Sequence, residues 1–158
     1  MCGISRVPML RLVAMTQPEG HHMASTIVQQ GTALFDAFMA RDLSLWQRQL
    51  APNFTASYPG MRDCTSAEAA RAFNAPFIAA FSDLHFQVTS TLVDANRVFY
   101  TWTARGTHDG PLVTPQGTLP ASGKKGTVDG VLIATVENGR ILREETYWNV
   151  PDLLAQIA

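Results

Sequence analysis

Apolar and polar positions alternate along this chain with two different periods. Between Ser25 and Ala40 the apolar residues Ile27, Leu34, Phe35, Phe38 and Met39 recur at helical spacing, which predicts a first helix. Asp42 stands where a side chain can cap a second, shorter helix from Leu43 to Leu50, with Trp46 and Leu50 on its inner side and Pro52 stopping it. Asn53 to Tyr58 reads as a short strand closed by Pro59-Gly60, followed by a loop from Gly60 to Cys64. Thr65-Ser66-Ala67-Glu68 has the spacing of a capping box, in which Thr65 bonds the amide of Glu68 and Glu68 bonds back. The third helix then runs to about Phe81. Phe73, Phe77 and Phe81 lie along one side of it, and Pro76 predicts a kink.

After Ser82-Asp83 the period switches to two. Leu84, Phe86, Val88 and Leu92 alternate with His85, Gln87, Thr89 and Thr91, so His85 points outward. Asp94-Ala95-Asn96 turns the chain into Arg97–Gly110, a stretch dense in aromatic and β-branched residues. One face of that strand carries Val98, Tyr100, Trp102, Ala104 and His108; the other carries Phe99, Thr101, Thr103, Arg105 and Thr107. Gly110 to Gly123, with Pro111, Pro115 and Pro120, is expected to be a long loop of the kind that forms lids or interaction segments. Thr127 to Val136 and Ile141 to Trp148 are two further strands. They are joined at Asn138-Gly139, the strongest short hairpin signal. Pro151 to Ala158 is a short amphipathic tail. Helices, one strand, a helix and then four strands in meander predict an α+β fold, with helices packed on one face of a curved antiparallel sheet.

Composition narrows the function classes. The chain has 158 residues, 46% hydrophobic and 16% charged, with net charge -1, which suits one globular domain over residues 24–158. Residues 1–23 read as a flexible tail, and Gly20-His21-His22-Met23 as a junction or alternative start, so His21 and His22 carry no functional argument. The only lysines are Lys124 and Lys125. With no basic stripe, no nucleic acid is expected as a partner. No apolar run is long enough to span a bilayer, so no membrane is expected either. Two cysteines, Cys2 and Cys64, suit a reducing cytoplasm rather than a disulfide framework, and the histidines form no zinc pattern, so no metal is expected.

Candidate chemistry gathers on the central strand. An apolar wall with one titratable group at its rim is what a small-molecule pocket uses. His108 can exchange a proton near neutrality, or can simply be a hydrogen-bonded rim histidine. Tyr58 can donate from its hydroxyl into the pocket, or be core. Trp102 and Tyr100 shape the cavity, with Phe35 and Phe77 as lining from the helix side. An aromatic stripe such as Phe73, Phe77 and Phe81 is ordinarily core, here the pocket's floor or its support.

Several local patterns then converge. They are Ala40-Arg41-Asp42-Leu43 with Ala51-Pro52-Asn53-Phe54, Phe81-Ser82-Asp83-Leu84-His85-Phe86, Trp102-Thr103-Ala104-Arg105-Gly106-Thr107-His108, Ser122-Gly123-Lys124, Glu137-Asn138-Gly139-Arg140-Ile141 and Tyr147-Trp148-Asn149. In this order the chain resembles the SnoaL-like polyketide cyclases of the NTF2-like superfamily, from about Thr26 to Ile157. The resemblance implies an α+β cone (an α+β barrel) open between helices and sheet, a homodimer formed through the sheet, and chemistry needing no cofactor. It also implies that an acid on the following strand pairs with His108. Here the chain departs from the pattern. Gly130-Val131-Leu132-Ile133 aligns with the family's Gly-Val-Asp-Ile, so Leu132 stands where the acid belongs, as part of an apolar wall. Only a bulge at Gly130 brings Asp129 in; otherwise Asp129 faces outward, where Arg105 can pair with it. Glu144 and Glu145 lie on the last strand, so one faces in and one out, unless both are solvated. Relatives carry Trp at the Glu145 position, which makes Glu145 the candidate replacement acid, sharing acid and base roles with His108 while Tyr58 donates a hydrogen bond. Two function classes result. The first is a cofactor-independent acid/base enzyme on a small apolar organic molecule, of cyclase, isomerase, dehydratase or epoxide-hydrolase type. The second is a non-catalytic ligand-binding or scaffold protein using the same cavity.

Overall fold

The computed structural model describes residues 18–158; Met1–Gln17, the greater part of the expected tail, lie outside the described residues. Helix α1 (Pro18–Met39) starts earlier than the apolar pattern predicts, so residues 18–23 belong to it and not to a tail. Its inward stripe is Ile27, Gly31, Leu34, Phe35 and Phe38. Asp42 caps α2 (Leu43–Arg48) as expected, its carboxylate accepting the N–H groups of Ser44 and Leu45 at 2.9 Å each. The helix ends two residues early because Leu50 already opens strand β1 (Leu50–Tyr58). The expected loop after Gly60 is a second strand, β2 (Met61–Cys64), paired antiparallel with β1. The cap of α3 (Ala67–Ala80) is Ser66 rather than Thr65: its hydroxyl accepts the Ala69 N–H at 3.1 Å, and the helix runs through Pro76.

The remaining strands are β3 (His85–Asp94), β4 (Arg97–Thr107), β5 (Leu112–Thr114), β6 (Gly117–Leu119), β7 (Lys125–Glu137) and β8 (Arg140–Trp148), followed by α4 (Val150–Ile157). The large sheet has the order β2-β1-β8-β7-β4-β3, and its concave face receives the helices in a mixed α+β cone. The sheet expected to be antiparallel is therefore mixed: it has six strands, and β1 runs parallel to β8. Pro52 falls in the register break of that pair, between Leu50 and Thr55, where a residue without an N–H removes no ladder bond. The segment expected as a long loop folds into the two-stranded β5–β6 hairpin. Asn138 and Gly139, at φ 51° and 72°, make the tight β7–β8 turn.

Two bulges decide which side chains face inward. In β3 the register slips between Val88 and Ser90, so Phe86 and Val93 turn in while Leu92 is left 65% exposed. In β8 the register slips beside Leu142: Thr135 pairs with Arg143, but Val136 pairs with Ile141. Strand β4, by contrast, keeps an unbroken register against β7, and Val98, Tyr100, Trp102 and Ala104 are all buried as predicted.

Helix α1 closes on this wall through one close approach. Tyr100 donates its hydroxyl to the carbonyl of Val28 at 2.7 Å, and the ring lies where a Cβ on Gly31 would come within 2.4 Å of the hydroxyl oxygen. Gly31→Ala should therefore force Tyr100 aside and destabilise the fold by about 1–3 kcal/mol, read as a lower midpoint in urea unfolding. An unchanged midpoint would show that the helix yields without cost.

Candidate active site

Between the helices and the concave sheet lies a cavity of about 90 Å³. Phe35 and Phe38 wall it from α1, Phe73 and Phe77 from α3, and Phe86, Trp102, Val128 and Leu132 from the sheet. The polar residues of this lining are Tyr58, Asn74, Glu144 and Thr146, with the exposed Arg105 at its edge. Trp102 seats its ring over Gly130, its partner across the β4–β7 ladder, where a Cβ would come within 2.2 Å of the ring. Its indole N–H is buried with no partner among the described residues.

Glu144 is the unusual group. It is 1% exposed, beyond the β8 bulge, beside Ala134 and Ala56 in the sheet. The Trp46 indole N–H donates to one carboxyl oxygen at 3.4 Å and the Thr146 hydroxyl to the other at 3.3 Å. Both bonds are long, so they compensate burial only in part. Burial raises the Glu144 pKa from 4.5 to about 7, while these donors oppose the rise. Tyr58 is 4% exposed, stacked flat on Phe73 at 4.6 Å and 8°. Its hydroxyl makes no hydrogen bond of ordinary geometry among the described residues, though Asn74 and Glu144 lie near enough to act on it. Burial, and then the neighbouring Glu144 charge, push its pKa above the ordinary tyrosine value, so it stays a protonated donor.

The structure brings together Tyr58, Trp102, Phe35, Phe77 and Leu132 in the lining, as the sequence suggests, and leaves out three other candidates. Tyr100 is tied to the α1 backbone instead. Glu145 lies on the outer face of β8, near Arg97 at 3.7 Å and Arg143 at 3.4 Å. The bulge beside Leu142 is the reason, because it exchanges the faces of every residue after it. His108 is 1% exposed but outside the lining, its ring packed on Phe81 at 5.5 Å between centroids. The Ser122 N–H donates to its Nδ1 at 3.4 Å, and the Ser122 hydroxyl lies 3.1 Å from the same atom. The other ring nitrogen, Nε2, has no partner among the described residues. Asp129 does not enter either. With no bulge at Gly130 it stays outside and accepts the Thr103 hydroxyl at 2.6 Å, rather than pairing with Arg105. Of Glu144 and Glu145, of which alternation turns one inward, sequence reasoning chose Glu145, and the structure buries Glu144. Counting back by twos from Trp148, itself a lining residue, is the signal that would have found it.

Fold and site together define an α+β cone that encloses an apolar, acid-bearing cavity. The chain belongs to the SnoaL-like polyketide cyclase family, whose profile matches residues 26–157. Among solved structures it is similar to a protein from Jannaschia sp. CCS1 named for the SnoaL-like polyketide cyclases, at TM-score 0.75 and 21% identity over 98% of this chain and 97% of that one. It is also similar to TsrD from Streptomyces laurentii, at TM-score 0.69 and 20% identity over 84% and 94% of the two chains. IdmH from Streptomyces antibioticus matches at TM-score 0.66 and 22% identity over 82% and 96%. At such identities these likenesses carry the fold. No curated protein matches the chain.

Burial of Glu144 links stability to pH. Below its unfolded pKa of 4.5 both states hold the proton, and the group has no differential effect. As pH rises the unfolded chain ionises first, so stability falls between pH 4.5 and about 7 and then levels off. The loss should be roughly 3 kcal/mol. Glu144→Gln should abolish it, read as wild-type and variant unfolding free energies that diverge across this window. Parallel curves would mean that the carboxyl ionises as readily in the fold as in water.

Proposed function

We propose that this chain is a cofactor-independent acid/base enzyme acting on a small, neutral, largely apolar molecule that carries a carbonyl group. The observation that supports this most is the closeness of Glu144, poised near neutrality, to a Tyr58 hydroxyl that makes no well-formed hydrogen bond, both in one apolar cavity. A buried donor without an acceptor costs about 1–3 kcal/mol, and a ligand oxygen recovers that cost. Tyr58 then holds the carbonyl oxygen. The Glu144 carboxylate takes a proton from the adjacent carbon, and the enolate charge falls on the oxygen that Tyr58 faces. The Glu144 acid returns the proton either to carbon, or to the alkoxide formed when the enolate carbon closes on a second carbonyl of the same molecule. Both outcomes balance with no group beyond these two. His108 serves as a support: it packs on Phe81 and ties the chain before β5 to Ser122.

The probe is cyclohexanone in deuterated buffer, with exchange at the carbon beside its carbonyl followed by proton NMR. The wild type should exchange above the buffer rate, rising with pH through about 7 as Glu144 deprotonates. Glu144→Gln should lose on the order of 10²-fold or more, and Tyr58→Phe on the order of 10²-fold. Exchange that survives Glu144→Gln would sink the assignment. A wild type that binds the ketone without exchanging it would favour the ligand-binding reading.

We propose further that the protein is a soluble cytoplasmic homodimer formed through the convex face of the sheet. That face presents Phe99, Val131 and Ile133 half-buried and Tyr147 53% exposed, an apolar surface for a single chain. Ile133→Glu should convert a dimer to a monomer in sedimentation at micromolar concentration. A wild type that sediments as a monomer would refute the interface.

A further inference from the structure

A second cavity of about 660 Å³ opens on the other side of α3, between the β1–β2 turn, the β5–β6 hairpin and the start of α4. Two residues, Phe73 and Phe77, line both cavities. They are the middle of a row of rings: Tyr58 on Phe73 at 4.6 Å, Phe73 to Phe77 at 5.7 Å, and Phe77 to Trp148 at 5.3 Å. Tyr58 and Trp148 belong to the inner cavity alone. The row thus stands between the two cavities, with the acid on one side of it and a larger, solvent-open cavity on the other.

Size and chemistry say what the chamber holds. Ligand pockets for drug-sized molecules run from about 300 to 1,000 Å³. The outer chamber falls in that range, and the inner cavity is too small. The outer lining includes Met61, Leu112, Val113, Pro115 and Leu154, and its side-chain polar groups are Thr114 and Gln116, with no titratable group among them. This open cavity offers an ionic occupant no charged partner, so a neutral and mainly hydrocarbon one fits it better. The chamber is built rather than left by a loose loop. The Asp109 and Gly110 N–H groups both donate to the Ala80 carbonyl, at 3.1 and 3.0 Å, and the Asp109 carboxylate accepts the Ser82 N–H at 2.9 Å. Leu112 is fully buried. Gly110 passes so close to α3 that a Cβ would meet the Ala79 carbonyl oxygen at 2.5 Å. The hairpin that roofs the chamber is therefore pinned at its base to the end of α3.

We infer that the two cavities are two parts of one substrate site: the outer chamber holds the neutral apolar body of an elongated substrate, and its carbonyl end passes Phe73 and Phe77 to reach Glu144. The inference rests on the Glu144 reading for the inner part. Phe73 and Phe77 become the residues that select for substrate width, and Val113 and Ala72 those that select for length.

The test uses N-phenyl-1-naphthylamine, a neutral apolar fluorophore that brightens on leaving water. It has no carbonyl, so its binding is readable whatever Glu144 does, and failure here is distinct from failure of proton exchange. Wild-type protein should bind it saturably. Val113→Glu on the hairpin and Ala72→Trp on α3 change exposed positions, so neither removes a core contact. Each should weaken binding roughly ten-fold or more, the first by placing a charge in the chamber and the second by filling it. Equal weakening by two unrelated substitutions, each with wild-type circular dichroism, supports the site. Absence of saturable binding to wild type, or affinity unchanged in both variants, overturns it. An association state altered by Val113→Glu would assign the chamber to a second copy of the chain, and overturns it too.

Discussion

A carboxyl group enclosed by aromatic rings is held there against its own solvation, and in this protein the constraint that holds it is a single extra residue in β8. The bulge beside Leu142 lets Ile141 stay buried at the start of the strand and still turns Glu144, Thr146 and Trp148 toward the helices. Without it, strict alternation from Ile141 would place Arg143 and Glu145 in the cone, two groups that instead meet each other on the outer face. The burial of Glu144, its displaced pKa and its position beside Tyr58 all follow from that one register slip.

The cavity owes its shape to close approaches that tolerate no side chain. Gly31 admits Tyr100 against α1, and Gly130 admits the Trp102 ring. Large aromatic groups packed on bare backbone make rigid walls. In such a wall the polar groups that remain unpaired, the Tyr58 hydroxyl and the Trp102 indole N–H, are costly unless a ligand meets them. The family pairing of a histidine with an acid on the next strand is absent for two separate reasons. Leu132 occupies the acid's place in the lining, and Phe81 takes the cavity position in front of the His108 ring. The buried acid of this chain, Glu144, stands instead on β8, the neighbour of β7, on the concave side.

Much of this was legible in the chain itself. Helical spacing, the Asp42 cap, the two faces of β4, the outward His85 and the Asn138-Gly139 turn depend on residues near one another in sequence, and local preference and local sterics decide them. The order of short motifs was enough to name the family. The apolar lining residues Phe35, Phe77, Trp102 and Leu132 were recoverable for the same reason, since they sit in segments whose alternation is unbroken or helical. Only the tertiary structure decided the rest. The parallel pairing of β1 with β8 joins residues as distant in sequence as Leu50 and Ile141, and no local signal encodes it. Each bulge is set by what the neighbouring strand requires, and a shift of one residue exchanges the two faces, which is why Glu144 and not Glu145 is inside. His108 lies on the predicted side of its strand, but whether a ring on that side reaches the cavity depends on Phe81, which arrives from the far end of another helix.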